Sequence, residues 1–209
     1  MSFARKINKV SKDFQVVFVH LFQDGKFSFY PHFLHIVSDK KSEISVSSIS
    51  TIDKIDLNTI RGHSSFCMHF GVVLADGDFT FAWPSDIAGI IDAHGDRIPS
   101  TYYRAEGGRS DEFIDGAISK RKLDENNEFF VTNVNIAGLV YFPGQENKII
   151  DVVAQGDVNK IVNILKAPFY TYRDGYFKEA IWFNGNIMEI PNKSPISFSE
   201  IINKPWTPQ

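Results

Sequence analysis

Residues 66–95, FCMHFGVVLADGDFTFAWPSDIAGIIDAHG, constrain the fold more than any other stretch of this chain. Asp76-Gly77 is flanked on both sides by residues that alternate large apolar with small or polar. Glycine accepts the positive φ of a type I′ turn, so the pattern predicts a tight β-hairpin. A two-residue loop pairs Leu74 with Phe79, Val72 with Phe81 and Phe70 with Trp83, and puts Phe66 and Met68 on the same face. A one-residue slip would turn every aromatic to solvent, so the pattern sets register as well as sidedness. Pro84 ends the second strand, Ser85 caps a helix and Gly95 follows it. Ile87, Ile90, Ile91 and His94 form a helical stripe that can lie on the aromatic face. The stretch reads as a fold nucleus without evident catalytic chemistry.

Upstream, the pattern over residues 14–37 is that of strands. Val16, Val17, Phe18, Val19, Leu21 and Phe22 are apolar on both faces, which implies a strand covered on both sides. Asp24-Gly25 predicts a second hairpin turn, pairing Phe22 with Phe27 and His20 with Phe29. Pro31 marks a bend or an edge in the returning strand. Residues 38–42 are a polar turn, and 43–57 alternate well enough for one or two more strands. The order of elements, with hairpins at Asp24-Gly25 and Asp76-Gly77 and the helix SDIAGIIDAH, resembles the pleckstrin-homology-like superfold and its GRAM-type relatives. That resemblance implies a module that binds phosphoinositides, peptides or partner proteins. The basic cluster of lipid-binding members is reduced here to Lys26, with Lys40 and Lys41 at the next turn, which leaves partner binding.

The expected fold class is α+β. It comprises a basic segment over 1–12, an antiparallel β-rich domain of that type over 13–97, a linker over 98–109, and a smaller α+β domain over 110–209. The linker reading rests on RIPSTYYRAEGGR, with its Pro, its Gly pair and no apolar period. Ser110 then caps a helix with Phe113, Ile114, Ala117 and Ile118 on one stripe, acids at its start and Lys120, Arg121 and Lys122 at its end. Strands are expected over 128–134, 138–142 and 148–153, and a second helix from Asp157 carries Val158, Ile161, Val162 and Leu165. Asp174-Gly175 and Asn184-Gly185 predict a three-stranded meander. One face of it holds Tyr170, Tyr172, Phe177, Glu179, Ile181, Phe183, Met188 and Ile190; the other holds Arg173, Tyr176, Lys178, Trp182 and Ile187.

Composition narrows the functional classes. A formal charge of −3 argues against a general affinity for nucleic acid. The single cysteine excludes an intrachain disulfide and a zinc site with two or more thiolates. The longest apolar runs are far too short for a bilayer, and the start of the chain carries no apolar signal core, so a cytoplasmic location is expected. Residues 1–12 place Phe3, Ile7 and Val10 on one helical face with Arg5, Lys6, Lys9 and Lys12 around it. Such a helix can lie on an anionic membrane surface, although three anchors are few and packing onto the domain is the simpler reading.

Motifs for phosphate loops, dinucleotides, zinc proteases and serine nucleophiles are absent, and no cofactor or metal is implied. Cys67 and His69 share a strand face but stand too far apart for a direct bond. His32 and His35, in a strand, point to opposite faces and cannot chelate one ion. Glu179 on an aromatic face is the one candidate acid, with a partly covered, tyrosine-bonded carboxylate as the simpler account. Aromatic residues beside arginine are the hot-spot composition of protein interfaces, which singles out Tyr103, Arg104, Arg173, Tyr176 and Trp182 as binding anchors. The expected function is a non-enzymatic module that binds another protein, as an inhibitor, immunity-type protein or adaptor; a homodimer is compatible. Two alternatives stand: a hydrolase or nuclease using Glu179, Asp151 or a histidine, and attachment to anionic lipid.

Overall fold

The structure, a computed structural model, describes residues 3–22, 29–50, 70–83, 108–119, 127–142 and 152–208. In chain order the elements are α1 (Ile7–Phe14), β1 (Val16–Leu21), α2 (Tyr30–Ser38), β2 (Ile44–Ser50), β3 (Phe70–Trp83), α3 (Asp111–Ser119), β4 (Glu128–Tyr141), α4 (Val152–Asn159) continued by a π-helical turn (Lys160–Ile164), β5 (Phe169–Arg173), β6 (Tyr176–Phe183), β7 (Asn186–Glu189) and α5 (Phe198–Ile201). Helices and a strand-rich mixed sheet make an α+β chain.

The seven strands form one sheet in the order β2-β1-β3-β4-β5-β6-β7. All neighbours are antiparallel except β4 and β5, whose parallel register runs from Leu139↔Phe169 to Tyr141↔Thr171. That pair needs a crossover, and α4 with its π turn lies in the intervening chain. β2 also pairs with the first half of β4, Ile44 opposite Val131, so β1, β2, β4 and β3 close into a ring. Inside it Phe18, Phe79 and Phe129 meet at 5.1–5.7 Å between ring centres.

β1 is covered on both faces, as its two-sided apolar pattern requires. Val16 and Phe18 turn toward α1–α4, and Val17 and Val19 toward the opposite core. The helical side takes Ile7 and Val10 of α1, Phe33 and Ile36 of α2, Ile114 and Ala117 of α3, and Val158 and Ile161. The second side is closed by Ile196, Phe198, Ile201 and Ile202 over Phe142, Tyr172 and Phe177. Among the described residues, no helix is long and apolar enough to cross a membrane.

Several expectations are corrected. The Asp76-Gly77 hairpin does not form: β3 runs unbroken from Phe70 to Trp83 beside β4. Irregularities at 73–81, together with Asn133 at φ 52° on β4, absorb the extra residues as bulges. Gly77 serves close approach instead, since a Cβ there would meet Ile7 Cδ1 at 3.0 Å and the Thr132 carbonyl at 3.3 Å. Secondly, the strand expected across 30–37 is helix α2. Pro31 sits in its first turn, where a missing N–H costs nothing, and Phe29, Phe33 and Ile36 line its buried face. Thirdly, Asp157 starts no helix. It lies inside α4, buried, and its Oδ2 accepts the Tyr30 N–H at 3.0 Å, capping α2 from a distance.

The two strands expected over 128–134 and 138–142 are one strand, β4, and residues 152–153 belong to α4. β3 and β4, on either side of the expected linker, are neighbours in the sheet. Gly108, at that linker's end, exchanges backbone hydrogen bonds with Ala82 at 3.0 and 3.1 Å. The turn at 24–25 and the helix expected from Ser85 lie outside the described residues.

Candidate functional site

β5, β6 and β7 carry most of the candidate residues. Asp174-Gly175 and Asn184-Gly185 adopt positive φ at all four positions, as two-residue loops of this kind demand. Register follows, with Arg173 opposite Tyr176, Tyr170 opposite Glu179 and Ile181 opposite Met188. Strand alternation then decides which side chains each layer receives.

The face holding Trp182 is covered. Trp182 is 5% exposed, packs 6.5 Å from Phe70 and sits under the π turn, where Asn163 Nδ2 donates to its carbonyl at 3.4 Å. It is a core residue and not a surface anchor. Arg173 and Tyr176 remain exposed together beside the Asp174-Gly175 turn. Tyr103 and Arg104 lie outside the described residues, so the structure brings only two of the five anchors together.

Glu179 stands on the other face, partly exposed and ion-paired to Lys193 at 3.3 Å and Lys204 at 3.8 Å. It forms one wall of a cleft of about 460 Å³ with Tyr170, Ile190, Lys204, Pro205 and Trp206. Burial, and then the charge of Glu179, push the Tyr170 hydroxyl up to about 12. Two ammonium groups occupy the carboxylate, and among the described residues no second acid or histidine lines the cleft. Asp151 lies outside the described residues.

Further along the same face, Ile181 (43% exposed), Phe183 (59%) and Met188 (44%) form an apolar ridge at the surface. Ile181 and Met188 are direct cross-strand partners. The ridge adjoins β7, which has a sheet neighbour on one side only, unlike every other described strand. The Ile190 N–H donates to the Glu179 carbonyl at 2.9 Å and fixes the phase of the ladder. Ile187 and Glu189 therefore turn their backbone N–H and C=O groups outward from the sheet. The sequence shows these apolar residues plainly and groups them on one face of the meander, but its period does not say how far that face is covered.

The basic N-terminal residues are engaged within the molecule. Arg5 pairs with Asp111 at 3.4 Å and with Asp115, Lys6 with Asp78 at 3.1 Å and Lys9 with Asp13 at 2.8 Å. Lys40 donates to the Val134 carbonyl and to Asn135. Lys12 and Lys41 are exposed, and Lys26 lies outside the described residues.

The structure also joins two histidines that the sequence pattern kept apart. His20 Nε2 lies 2.8 Å from His32 Nε2, and His20 Nδ1 lies 2.6 Å from the Ser45 carbonyl. Burial pushes the His20 imidazole down to about 4, opposed by the Ser45 carbonyl and reinforced by His32. Burial also lowers His32, and His35 adds to that. The strand expected across 30–37 hid this contact, because the helix from Tyr30 brings His32 back over β1. Cys67 and His69 lie outside the described residues. No protein-family model, curated protein or solved structure matches the chain.

Proposed function

We propose that this chain is a protein-binding module whose docking surface is the β6–β7 edge. The observation that carries the reading is the apolar ridge of Ile181, Phe183 and Met188 beside the one open edge among the described strands. Contiguous exposed apolar side chains mark interaction sites, and an unpaired edge is a template for one more strand. The occupant is an extended segment of another protein. It pairs its backbone with the outward groups of Ile187 and Glu189 and lays an apolar side chain on the ridge. Glu179, Lys193 and Lys204 supply a polar rim next to that apolar centre. An inhibitor, an immunity-type protein or an adaptor would all work this way.

The test is affinity capture from the native host with quantitative mass spectrometry, using wild type, Phe183→Glu/Met188→Lys, and Ile187→Pro as baits. Circular dichroism first establishes that each bait is folded. One stoichiometric partner that survives moderate salt on the wild type, and falls at least tenfold on both variants, supports the proposal. A partner retained equally by all three baits, or none on the wild type, refutes it.

A further inference from the structure

The cleft walled by Glu179 carries an uncompensated positive charge. Lys193 lies 3.3 Å from Oε2 of that carboxylate, and Lys204 lies 3.8 Å from Oε1, beyond hydrogen-bond reach. One carboxylate against two ammonium groups leaves the site at +1, and Lys204, the more loosely paired, lines the cleft itself. A second donor stands beside it. The Tyr170 ring is buried over Gly138, yet its hydroxyl has no hydrogen-bond partner among the described residues. With its pKa pushed up to about 12, that hydroxyl keeps its proton at neutral pH and can donate. The rest of the wall is mostly apolar and stiff. Pro168 and Pro205 have no side-chain rotamers to freeze. Trp206 is held by its backbone N–H on the Ile136 carbonyl at 2.8 Å and by its ring against Phe33 at 5.9 Å.

We propose that this cleft binds a small aromatic monocarboxylate, with its carboxylate on Lys204 Nζ and the Tyr170 hydroxyl and its ring against Trp206 and the two prolines. The volume, about 460 Å³, lies in the range of small-ligand sites, which combine apolar walls with a few convergent polar groups. Two donors match the two oxygens of a carboxylate. A single negative charge also matches the surplus of one. A phosphate dianion would set its second charge against Glu179, and a primary amine would face two ammonium groups. The flat faces of Trp206, Pro168 and Pro205 favour a planar ring over a branched chain. When the ligand takes Lys204, Glu179 retains Lys193, so no carboxylate is left without a partner. None of these groups belongs to the apolar ridge, and the site stands whether or not the β7 edge takes a strand.

The test titrates the full chain calorimetrically at pH 7.5 with 4-phenylbutyrate and with 4-phenylbutan-1-ol, which has the same body without the charge. One equivalent of the acid per chain, with a Kd below about 1 mM, is expected. The alcohol should bind about tenfold more weakly or worse, since it lacks the charged hydrogen bond. Lys204→Met should weaken the acid by about tenfold or more and leave the alcohol unchanged, and Tyr170→Phe should weaken the acid by about threefold or more. Both variants keep the bulk of the side chain, and circular dichroism establishes that they are folded. In ¹H–¹⁵N spectra the acid should shift the Trp206 indole signal and leave those of the buried Trp83 and Trp182 in place. Absence of saturable binding, equal affinity for acid and alcohol, equal acid binding by Lys204→Met, or a Trp206 signal unmoved at saturation would overturn the site.

Discussion

Asn127 is the most informative single position for testing how this fold is held. It is fully buried immediately before β4, and its amide meets three groups. Oδ1 accepts the Ser48 N–H at 3.0 Å, while Nδ2 donates to Ser48 Oγ at 2.7 Å and to the Ala117 carbonyl at 3.1 Å. Ala117 lies in the last turn of α3, so its carbonyl is one that the helix cannot satisfy. One side chain thus ties β2, the end of α3 and the start of β4. Asn127→Ala takes the acceptor from one buried amide and the donor from one buried carbonyl. At roughly 1–3 kcal/mol for each orphaned group, the loss is about 2–6 kcal/mol. Against a typical total of about 5–15 kcal/mol, that is a large fraction of stability. Urea unfolding followed by tryptophan fluorescence and circular dichroism measures it, with Asn163→Ala as the exposed control expected within about 0.5 kcal/mol. A loss under about 1 kcal/mol for Asn127→Ala at unchanged m-value would refute the reasoning.

Two glycines should respond in opposite senses. A Cβ at Gly138 would come within 2.5 Å of the Pro168 carbonyl, beside the Leu139 N–H bond to it. Gly138→Ala should therefore cost about 1–3 kcal/mol, whereas Gly116→Ala, in α3 with open space around it, should gain about 0.5–1 kcal/mol; thermal unfolding reads both. For pH, the Lys178 hydrogen bond, with help from Thr171, holds the Glu189 carboxyl below its usual range against partial burial. Its folded value lies below its unfolded one, so its contribution is present above the unfolded value and is lost as pH falls through the folded one. Urea midpoints between pH 6 and 3 should fall less steeply in Glu189→Gln than in wild type, and parallel slopes would contradict this.

Local chemistry was legible where nothing distant competed with it. Asp174-Gly175 and Asn184-Gly185 reverse the chain as their dipeptides suggest, whereas the equivalent Asp76-Gly77 does not. The dipeptide permits a positive φ but does not compel it. β3 instead finds a partner of equal length in β4, and the ladder they share outweighs one turn. The tract after Phe29 shows the same limit. Pro31 fits both a strand edge and a first helical turn, and the decisive group, the buried Asp157 carboxylate on the Tyr30 amide, lies 127 residues away. α3 was readable because its apolar stripe already matched one face, while α1 was readable in part: its helix runs from Ile7 to Phe14, leaving Phe3 outside and taking in Phe14, which the pattern gave to a strand.

Period two separates the faces of a meander without saying which one is covered. Trp182 and Phe183 are neighbours in sequence with opposite fates, and the difference is made by α4 and its π turn, which pack on the Trp182 side. The tail from Ile196 to Ile202 covers Phe177 on the other side, pairing with it through reciprocal backbone bonds, and β7 takes over as the neighbour of β6 beyond that point. Coverage of that face therefore runs out along β6 itself: buried at Phe177, paired with lysines at Glu179, open at Ile181 and Phe183. Large apolar residues in open positions sacrifice the roughly 1.5–3 kcal/mol that burying each would contribute to folding. Under the proposed docking at the β6–β7 edge, burying these three residues would contribute to association rather than to the stability of the isolated chain.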